Sequence, residues 1–354
     1  MPSAYINDIA TAVPPYDIHG IFLDFVGSML GDDPRKARLF QRMADLSGIE
    51  HRYSYLEQGE RPDDPGVNAP VFYRRGQFPD TSARMRRFEQ DAPRLAAAAV
   101  GRLRLGDPRR ITHLVITCCT GFSAPGLDLD LIERCGLPLS VERTMIGFMG
   151  CSAAINAMKL ARHIIRSEPH SRVLVLNLEL CTLHMKETGD IEQMLCFLLF
   201  GDGCAASIVT AEPDGVALDS FRAILAPDTR DFITWNIREA GFDMTLSGQV
   251  PAAIQSALSV HAGDILEGAP VGSIDLWAVH PGGRTVLDAV ERAFGLAPEA
   301  LAASREVLRR YGNMSSGTVM FVMEQLLRGG GGRKGCAMAF GPGLIAETML
   351  FHTA

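Results

Sequence analysis

The sequence lacks the features that mark membrane, exported and nucleic-acid-binding proteins. It contains no run of about 18 consecutive apolar residues, so a membrane-spanning helix is not expected. The first residues, Met1 to Pro15, contain no basic segment followed by an apolar one, which predicts a cytoplasmic protein. The net charge of -7 argues against a broad basic surface for nucleic acid or for an anionic membrane.

Cysteine pairs with the spacing of metal or redox sites are also missing. None of the eight cysteines forms a C-x-x-C pair with another, so no metal site is predicted. A cytoplasmic chain keeps its thiols reduced, and most of these residues should be small buried hydrophobes. Cys118 and Cys119 are the one adjacent pair, and their apolar surroundings favour packing over chemistry.

The patterns that are present indicate an α/β fold. The chain has 354 residues, 47% of them hydrophobic and 21% charged, which is enough for two related halves. Apolar, β-rich runs alternate with stretches rich in Ala, Leu and Met, and this alternation favours buried sheets between helices. The predicted strands are Ile111–Thr120, Arg172–Leu178, Ile274–Val279 and Cys336–Phe340, and the predicted helices are Ser152–Ile165, Ala289–Phe294 and Thr318–Leu327.

One structural unit occurs twice along the chain: a buried strand ending in a polar turn, then a small-residue turn that opens an apolar helix. The first copy is HLVITCCTG with MGCSAAINAMKLA, and the second is DLWAVHPGG with YGNMSSGTVMFVM. This predicts a duplicated fold with halves at 1–215 and 216–354, divided near a turn at 212–215. We also expect a peripheral helical region from Arg35 to Pro93, a long loop at Glu57–Pro70 and a flexible linker at Gly329–Gly332.

Cys151 is the first candidate for chemistry. It lies in GFMGCSAA, where glycines permit a tight turn and small residues begin a helix. A thiol at a helix N-terminus meets the positive end of the helix dipole, which favours the nucleophilic thiolate. A structural cysteine in a Gly-rich turn is an equally good interpretation of this segment alone.

His280 and Asn313 are the other two candidates. His280 follows an apolar strand and precedes Pro-Gly-Gly, where an imidazole could accept the proton of a thiol. Asn313 lies in YGNMSS and could donate a hydrogen bond from its amide. Taken singly, each is more often structural, the histidine as a satisfied strand-end residue and the asparagine as a helix cap. Together with Cys151 they form a nucleophilic constellation.

These residues lie in motifs that resemble those of chalcone-synthase-like type III polyketide synthases. GFMGCSAA, LFGDG, VHPGG, YGNMSS and AFGPG occur in that family's order and over nearly the whole chain. The resemblance implies a thiolase-like α/β fold, with two duplicated αβαβα halves and buried mixed sheets, in a homodimer. It also implies an acyltransferase that condenses malonyl-CoA with an acyl-CoA starter and needs no cofactor. Cys151 would carry the acyl group, with His280 and Asn313 as its partners.

The resemblance further assigns a substrate cavity and a CoA site. Phe200 would be the gatekeeper between the CoA tunnel and the active site, and Ala124 would reach toward the partner's cavity in the dimer. The other residues assigned to the cavity are Cys119, Thr120, Cys181, His184, Cys196, Trp235, Met244, Ser315, Phe340, Gly341, Pro342 and Gly343. The residues assigned to CoA binding are Arg38, Arg42, Gly283 and Thr285.

Several positions depart from the chalcone synthase pattern. Leu39 and Leu46 stand where that group has lysines for CoA phosphates, while Trp235 replaces a glycine and Met244 a phenylalanine of the cavity wall. Two further replacements are His184 for threonine and Cys196 for glycine. With the segments ELCTLHMKE and FDMTLSGQVP, these differences resemble bacterial alkylresorcinol and alkylpyrone synthases, which extend long fatty acyl starters.

Three other functions fit part of the pattern. A ketoacyl synthase III type enzyme shares the fold and the Cys-His-Asn chemistry but performs one condensation with an acyl carrier protein, which is also a possible acyl donor here. A papain-like peptidase orders Cys, His and Asn in the same way, but its cysteine is followed by tryptophan, whereas Ser152 follows Cys151. A catalytically silent dimer would not need all three candidate residues.

Overall fold

The structure is a computed structural model that describes residues 2–30, 33–57, 72–327 and 331–354. Apart from Glu57, the predicted loop at Glu57–Pro70 lies outside these residues, as do two glycines of the predicted Gly329–Gly332 linker. No helix in the described ranges combines the length and the apolar character that crossing a bilayer requires.

The described residues form strands and helices that alternate along most of the chain. The strands are β1 (Tyr5–Ala12), β2 (Tyr16–Asp17), β3 (Tyr53–Ser54), β4 (His113–Cys118), β5 (Glu142–Gly147), β6 (Val173–Leu180), β7 (Asp202–Thr210), β8 (Val216–Leu225), β9 (Ile233–Arg238), β10 (Gly241–Leu246), β11 (Leu276–Val279), β12 (Lys334–Gly341) and β13 (Ile345–Thr353). The helices are α1 (His19–Met29), α2 (Pro34–Ser47), α3 (Thr81–Val100), α4 (Leu127–Cys135), α5 (Ala153–Ser167), α6 (Ile191–Leu199), α7 (Val250–Ile265), α8 (Arg284–Phe294), α9 (Ala302–Tyr311) and α10 (Thr318–Leu326).

Nine strands form one mixed sheet in the order β11-β12-β13-β8-β1-β7-β6-β4-β5. Parallel pairing joins β4 to both β5 and β6, and β11 to β12, whereas the remaining neighbours in the sheet are antiparallel. Strands β1, β4, β5, β6 and β7 form one half of the sheet and β8, β11, β12 and β13 the other, and the halves meet where β1 pairs with β8 through two residues. The β9–β10 hairpin is a separate two-stranded sheet.

The sheet is covered on both faces, which explains why its strands read as continuous apolar runs. On β4, Leu114 and Ile116 pack in one hydrophobic cluster with α3 and α4, while Val115 packs in a second cluster with α5 and α10. On β12, Ala337 also faces this second cluster, whereas Met338 packs with α7 and α8. Helices α5 and α10 therefore lie in a central layer between two half-sheets, each of which has helices outside it.

This layering brings the candidate residues to one end of the strands. Cys119 follows β4 and His280 follows β11. Cys151 and Asn313 lie just before the central helices α5 and α10. Helix α3, which begins within the region from Arg35 to Pro93 that was predicted to be peripheral, lies outside the first half-sheet and buries its inner face against it.

Candidate active site

A cavity of about 520 Å³ lies where these turns meet. Its walls come from both halves of the chain and are largely apolar. The sequence-predicted residues that line it are Cys119, Thr120, Cys151, Cys181, His184, Phe200, Trp235, Met244, His280, Gly283, Thr285, Asn313, Ser315, Phe340 and Pro342. The structure thus brings together most of the predicted set, and the residues it brings together lie as far as 223 positions apart in the sequence, from Cys119 to Pro342.

The turn that holds Cys151 is shaped by glycine and by a neighbouring strand end. Gly150 has a φ of 63°, and a Cβ there would lie 2.4 Å from Pro342 Cδ. A Cβ on Gly341 would lie 2.5 Å from Ser152 Oγ. The end of β12 and the proline after it are therefore packed directly against the Cys151 turn, where only glycine leaves enough space. Gly341 packs against the Cys151 turn in this way without lining the cavity, and Gly343, which has a φ of 120°, also lies outside the lining.

The Cys151 thiol lies in a water-poor site. Its Sγ is 3.7 Å from Ser315 Oγ and 4.0 Å from Asn313 Oδ1. Burial raises the pKa of Cys151 to about 12, although the hydrogen-bond contacts of the thiol with the Ser315 and Asn313 side chains oppose that shift. The helix-end environment anticipated from the sequence does not by itself yield a thiolate, because a short 3-10 turn at Gly150–Ser152 precedes α5 and burial dominates.

His280 is buried, and its imidazole ring makes no hydrogen bond to the described residues. Its backbone N–H donates to Met338 O at 2.8 Å, which ties the residue to β12. Neither ring nitrogen has a hydrogen-bond partner among the described residues, although the side chain is almost wholly buried. Burial lowers the pKa of His280 to about 3, so the imidazole is neutral at pH 7. A buried polar ring without a partner costs free energy unless a ligand or a reacting group supplies one.

Asn313 is held by its backbone and by both ends of its amide. Its N–H donates to Leu199 O at 2.8 Å, and its carbonyl accepts from Gly201 N–H at 3.0 Å. Asn313 Oδ1 accepts from the Ser315 N–H at 2.8 Å, and Nδ2 donates to Gly282 O at 3.3 Å. These bonds fix the amide next to Phe200 and leave one of its two N–H donors for the cavity.

Arg52 holds the backbone of the Phe200 segment through hydrogen bonds, a role that the sequence did not indicate. It is fully buried, and its Nη1 donates to Phe197 O at 2.8 Å and to Phe200 O at 3.0 Å. Its Nε donates to His19 Nδ1 at 2.9 Å, and burial lowers its pKa to about 9. Arg52 therefore fixes the backbone of the predicted gatekeeper.

Glu179 is a second functional residue that the sequence reasoning missed. Its Oε2 accepts from the Cys119 N–H at 2.9 Å and from Thr120 Oγ1 at 2.8 Å, and its Oε1 accepts from Ser316 Oγ at 2.7 Å. Burial raises the pKa of Glu179 to about 7. This carboxyl joins the turn after β4 to the turn before α10. The sequence signal that could have identified Glu179 is a charged residue near the end of the apolar run LVLNLEL.

The β9–β10 hairpin forms a fixed wall of the cavity. Trp235 Nε1 donates to Cys119 O at 2.7 Å, and His184 Nε2 lies 2.6 Å from Thr120 O. Phe242 N–H donates to His184 Nδ1, so the histidine carries its proton on Nε2 and donates to Thr120. Burial lowers the pKa of His184 to about 3, and its ring stacks on that of Phe242 with centroids 4.2 Å apart. The indole is therefore immobilised where the sequence predicted a bulky wall residue.

Besides Gly341 and Gly343, four predicted site residues lie apart from the cavity lining. Cys196 is buried within α6, and Ala124 is exposed in the turn that precedes α4, beside the edge strand β5. Arg38 and Arg42 are exposed on α2. The same helix contributes Met43, Leu46 and Ser47 to the cavity, so it forms part of the mouth.

Family models match almost the entire chain. The chalcone and stilbene synthase N-terminal domain matches residues 11–213, and the C-terminal domain of the same family matches residues 218–354. The two models meet near the turn at 212–215, and together they contain every candidate site residue.

Individual relatives point in the same direction. The chain is 36% identical to the "alpha-pyrone synthesis polyketide synthase-like Pks18" of Mycobacterium tuberculosis, over 76% of this chain and 72% of the relative. It is 34% identical to the bisdemethoxycurcumin synthase of Oryza sativa subsp. japonica, over 99% of this chain and 92% of the relative.

Solved structures are similar over their full length. The C-terminal type III polyketide synthase domain of Steely1 from Dictyostelium superposes with a TM-score of 0.89 at 25% identity, covering 99% of both chains. PKS-I from the brown alga Ectocarpus siliculosus also gives a TM-score of 0.89, at 29% identity, covering 100% of this chain and 99% of that structure.

Proposed function

The chain belongs to the chalcone and stilbene synthase family and is a type III polyketide synthase, an acyltransferase with a thiolase-like fold, and from this premise we propose which substrates it takes and how. The proposed reaction loads a fatty acyl group from its CoA thioester onto Cys151 and extends it with malonyl-CoA. The product is released as an alkylpyrone or alkylresorcinol. The observation that carries the proposal is a single apolar cavity in which Cys151, His280 and Asn313 meet an immobilised Trp235.

Loading requires a proton acceptor for the Cys151 thiol. Burial holds the thiol and the His280 imidazole in their neutral forms, and His280 has free ring nitrogens on the same cavity. Transfer of the proton from Cys151 to His280 would create an ion pair, in which each charge stabilises the other in a low-dielectric site. The thiolate then attacks the thioester carbonyl, and the CoA thiolate leaves with the proton from His280.

Extension requires donors for a negatively charged oxygen. Loss of carbon dioxide from malonyl-CoA leaves a thioester enolate, which attacks the acyl group on Cys151. The neutral imidazole of His280 and the amide of Asn313 can both donate to the enolate oxygen. Asn313 suits this role because an amide donates at every pH and does not compete as a base. Its four hydrogen bonds hold it in place before the substrate arrives.

The cavity wall supports a flexible aliphatic starter. Trp235 occupies the wall with a fixed indole, so a rigid aromatic starter has little room beside it. An alkyl chain can bend past the indole, and Met244 can adapt to it through three rotatable bonds. The CoA portion would lie at the mouth, near Gly283, Thr285, Arg38 and Arg42.

We expect kcat/KM to increase with alkyl length until the cavity is full. Each methylene that becomes buried contributes roughly 0.8 kcal/mol, or about fourfold in binding. The measurement compares acetyl-, hexanoyl-, dodecanoyl-, hexadecanoyl- and 4-coumaroyl-CoA as starters. Trp235→Gly should improve the coumaroyl starter, whereas Trp235→Phe keeps most of the bulk and serves as the control. A parent enzyme that prefers coumaroyl-CoA, or that ignores alkyl length, would refute this account of the starter.

We also propose a symmetric homodimer that covers the edge strand β5. Met145 on β5 and Leu129 on α4 are exposed apolar side chains, and Leu139 between these elements is 94% exposed. An uncovered apolar edge strand invites association, and a second copy of the chain would cover it. Ala124 lies in the turn beside this edge, as the resemblance implied for a residue that reaches the partner.

Light scattering at micromolar concentration should give about twice the monomer mass of 38.4 kDa. Met145→Asp should shift the enzyme toward monomer, because it places a charge in the apolar edge. Val260→Asp on the exposed face of α7 is the matched control and should leave the mass unchanged. A fully active parent monomer would contradict the proposed assembly.

A further inference from the structure

A cluster of metal-ligating side chains lies at the end of the first half-sheet that is remote from the catalytic cavity. His113 is the first residue of β4 and Glu142 the first of β5, and the two are paired in register, whereas Cys119 follows the other end of β4. Glu168 is the residue that ends α5. One ring nitrogen of His113 and one carboxylate oxygen of each glutamate all lie within 4.8 Å of one another. The three side chains are therefore close enough to share one ion.

His113 is held in one orientation by its neighbours. The residue is only 8% exposed, and its Nδ1 lies 2.9 Å from Thr112 Oγ1. That hydroxyl also accepts from the Arg172 N–H at 2.9 Å and lies 3.2 Å from Arg172 O. In the neutral ring, all three contacts are hydrogen bonds only when the hydroxyl donates to Arg172 O and accepts from Nδ1–H. This tautomer leaves the lone pair of Nε2 free to bind a ligand.

The Nε2 atom of His113 makes no hydrogen bond to any part of the chain that the structure describes. It lies 3.6 Å from Glu142 Oε2, which is too long for a hydrogen bond. A lone pair that faces a carboxylate is repelled by it unless a positive charge lies between them. Two ligands of one zinc ion, bound at about 2.0–2.2 Å and a tetrahedral angle, lie about 3.4 Å apart. The observed separation therefore fits two atoms that bind the same cation.

The two carboxylates lack basic partners of their own. Across residues 2–30, 33–57, 72–327 and 331–354, neither Glu142 nor Glu168 lies within ion-pairing distance of a lysine or an arginine. Arg143, next to Glu142 in sequence, pairs instead with Asp128 at 2.6 Å. Glu168 also lies at the C-terminal end of α5, where the helix dipole disfavours a negative charge. A divalent cation would neutralise both carboxylates and offset that cost.

We propose that His113, Glu142 and Glu168 bind a divalent transition-metal ion of the zinc type. A mixed imidazole and carboxylate set suits zinc, whereas magnesium and calcium prefer oxygen ligands alone. Both glutamates are exposed, so water completes the coordination shell and the ion can enter from solvent. Two of the ligands have supporting contacts, because Thr112 orients His113 and Ser171 Oγ donates to Glu168 Oε2 at 3.4 Å.

The ion ties the edge strand β5 to the rest of the half-sheet. Strand β5 is the last strand of the sheet and pairs only with β4. Coordination through Glu142 gives this strand a second attachment, to the end of α5. The three ligands are separated by 29 and 26 positions, so the search of the sequence for closely spaced cysteines did not reveal them.

Isothermal titration calorimetry with zinc sulfate tests the site in the full-length enzyme after treatment with a chelator. The titrated protein carries Cys151→Ala, so that the cavity nucleophile does not bind zinc. We expect one zinc ion per chain and no comparable binding of magnesium. Adding His113→Gln should weaken zinc binding by at least the roughly 10–100-fold that loss of an outer-shell partner causes, and Thr112→Val should weaken it within that range. His261→Gln is the matched control, because this exposed histidine faces only Asp264 and should be dispensable.

Zinc should also raise the Tm of the Cys151→Ala enzyme by several degrees, because an ion that binds the folded state stabilises it. Glu142→Gln alters an exposed side chain and keeps the test decisive if His113→Gln does not fold; it too should remove the increase in Tm. Absence of zinc binding would overturn the proposal. So would binding that survives both substitutions, which would place the ion at other residues such as the remaining cavity thiols. Equal affinity for magnesium and zinc would show an ordinary acidic surface, and zinc binding without a change in Tm would contradict the proposed attachment of β5.

Discussion

Cys151→Ala should abolish both acyl loading and product formation. Cys119 and Cys181 also line the cavity, and burial raises the pKa of these two thiols as it does that of Cys151, so the pKa alone does not distinguish them. Only Cys151 combines a glycine-shaped turn with contacts to Ser315 and Asn313. The measurement is mass spectrometry of peptides after incubation with labelled hexadecanoyl-CoA, which should modify one peptide in the parent and none in the variant.

Cys181→Ala is the matched control for Cys151→Ala. It removes a cavity thiol of similar burial and should retain loading, because no step is assigned to that thiol. Acylation of the adjacent residues Cys118 or Cys119 is the outcome that would contradict the assignment most clearly. An acyl adduct on either residue in active enzyme would show that the nucleophile has been misassigned.

Asn313→Ala should suppress decarboxylation of malonyl-CoA by about 10²–10³-fold, the usual effect of removing one donor to an oxyanion. Charge develops on the enolate oxygen at this step, so the donor matters more there than in acyl loading. The backbone bonds of Asn313 to Leu199 and Gly201 do not involve the side chain and should survive the substitution. The fold around the cavity is therefore expected to remain intact.

The two steps are separated by measuring acetyl-CoA formed from malonyl-CoA alone, and adduct formed from acyl-CoA alone. Ser315→Ala is a useful comparison, because Ser315 Oγ contacts the thiol but is assigned no enolate contact. It should leave decarboxylation largely intact. If Asn313→Ala reduces loading while decarboxylation persists, the proposed division of roles is wrong.

Much of the fold was predictable because apolar runs and small-residue turns determine local structure. The predicted strand Arg172–Leu178 corresponds to β6 at Val173–Leu180, and the predicted helix Ser152–Ile165 to α5 at Ala153–Ser167. Every residue of β6 is buried, so the strand is largely apolar, whereas α5 buries one face of small and apolar residues and leaves Lys159, Arg162 and His163 at least partly exposed on the other. The three catalytic candidates could also be identified from the sequence, because each lies in a turn with an unusual glycine or small-residue pattern.

The supporting residues were not predictable, because their roles depend on contacts far apart in sequence. Arg52 looks like an ordinary surface charge until α6 and the Phe200 segment fold over it. Glu179 connects the turn after β4 with Ser316, which is 137 positions away. The indole of Trp235 is immobilised by a hydrogen bond to the backbone carbonyl of Cys119. A pattern of side chains in the sequence does not indicate a bond to a distant backbone carbonyl. The many charges of helix α3 likewise conceal the face that it buries against the sheet.

The most direct test of the central claim is to identify the species on Cys151 during turnover. The enzyme is quenched while it acts on hexadecanoyl-CoA and malonyl-CoA, and the Cys151 peptide is analysed by mass spectrometry. Iterative extension predicts the hexadecanoyl adduct together with heavier adducts that differ by one ketide unit each, and a cyclised alkylpyrone or alkylresorcinol in solution. An unextended adduct accompanied by a single-condensation 3-ketoacyl product would contradict iterative polyketide synthesis at this cysteine.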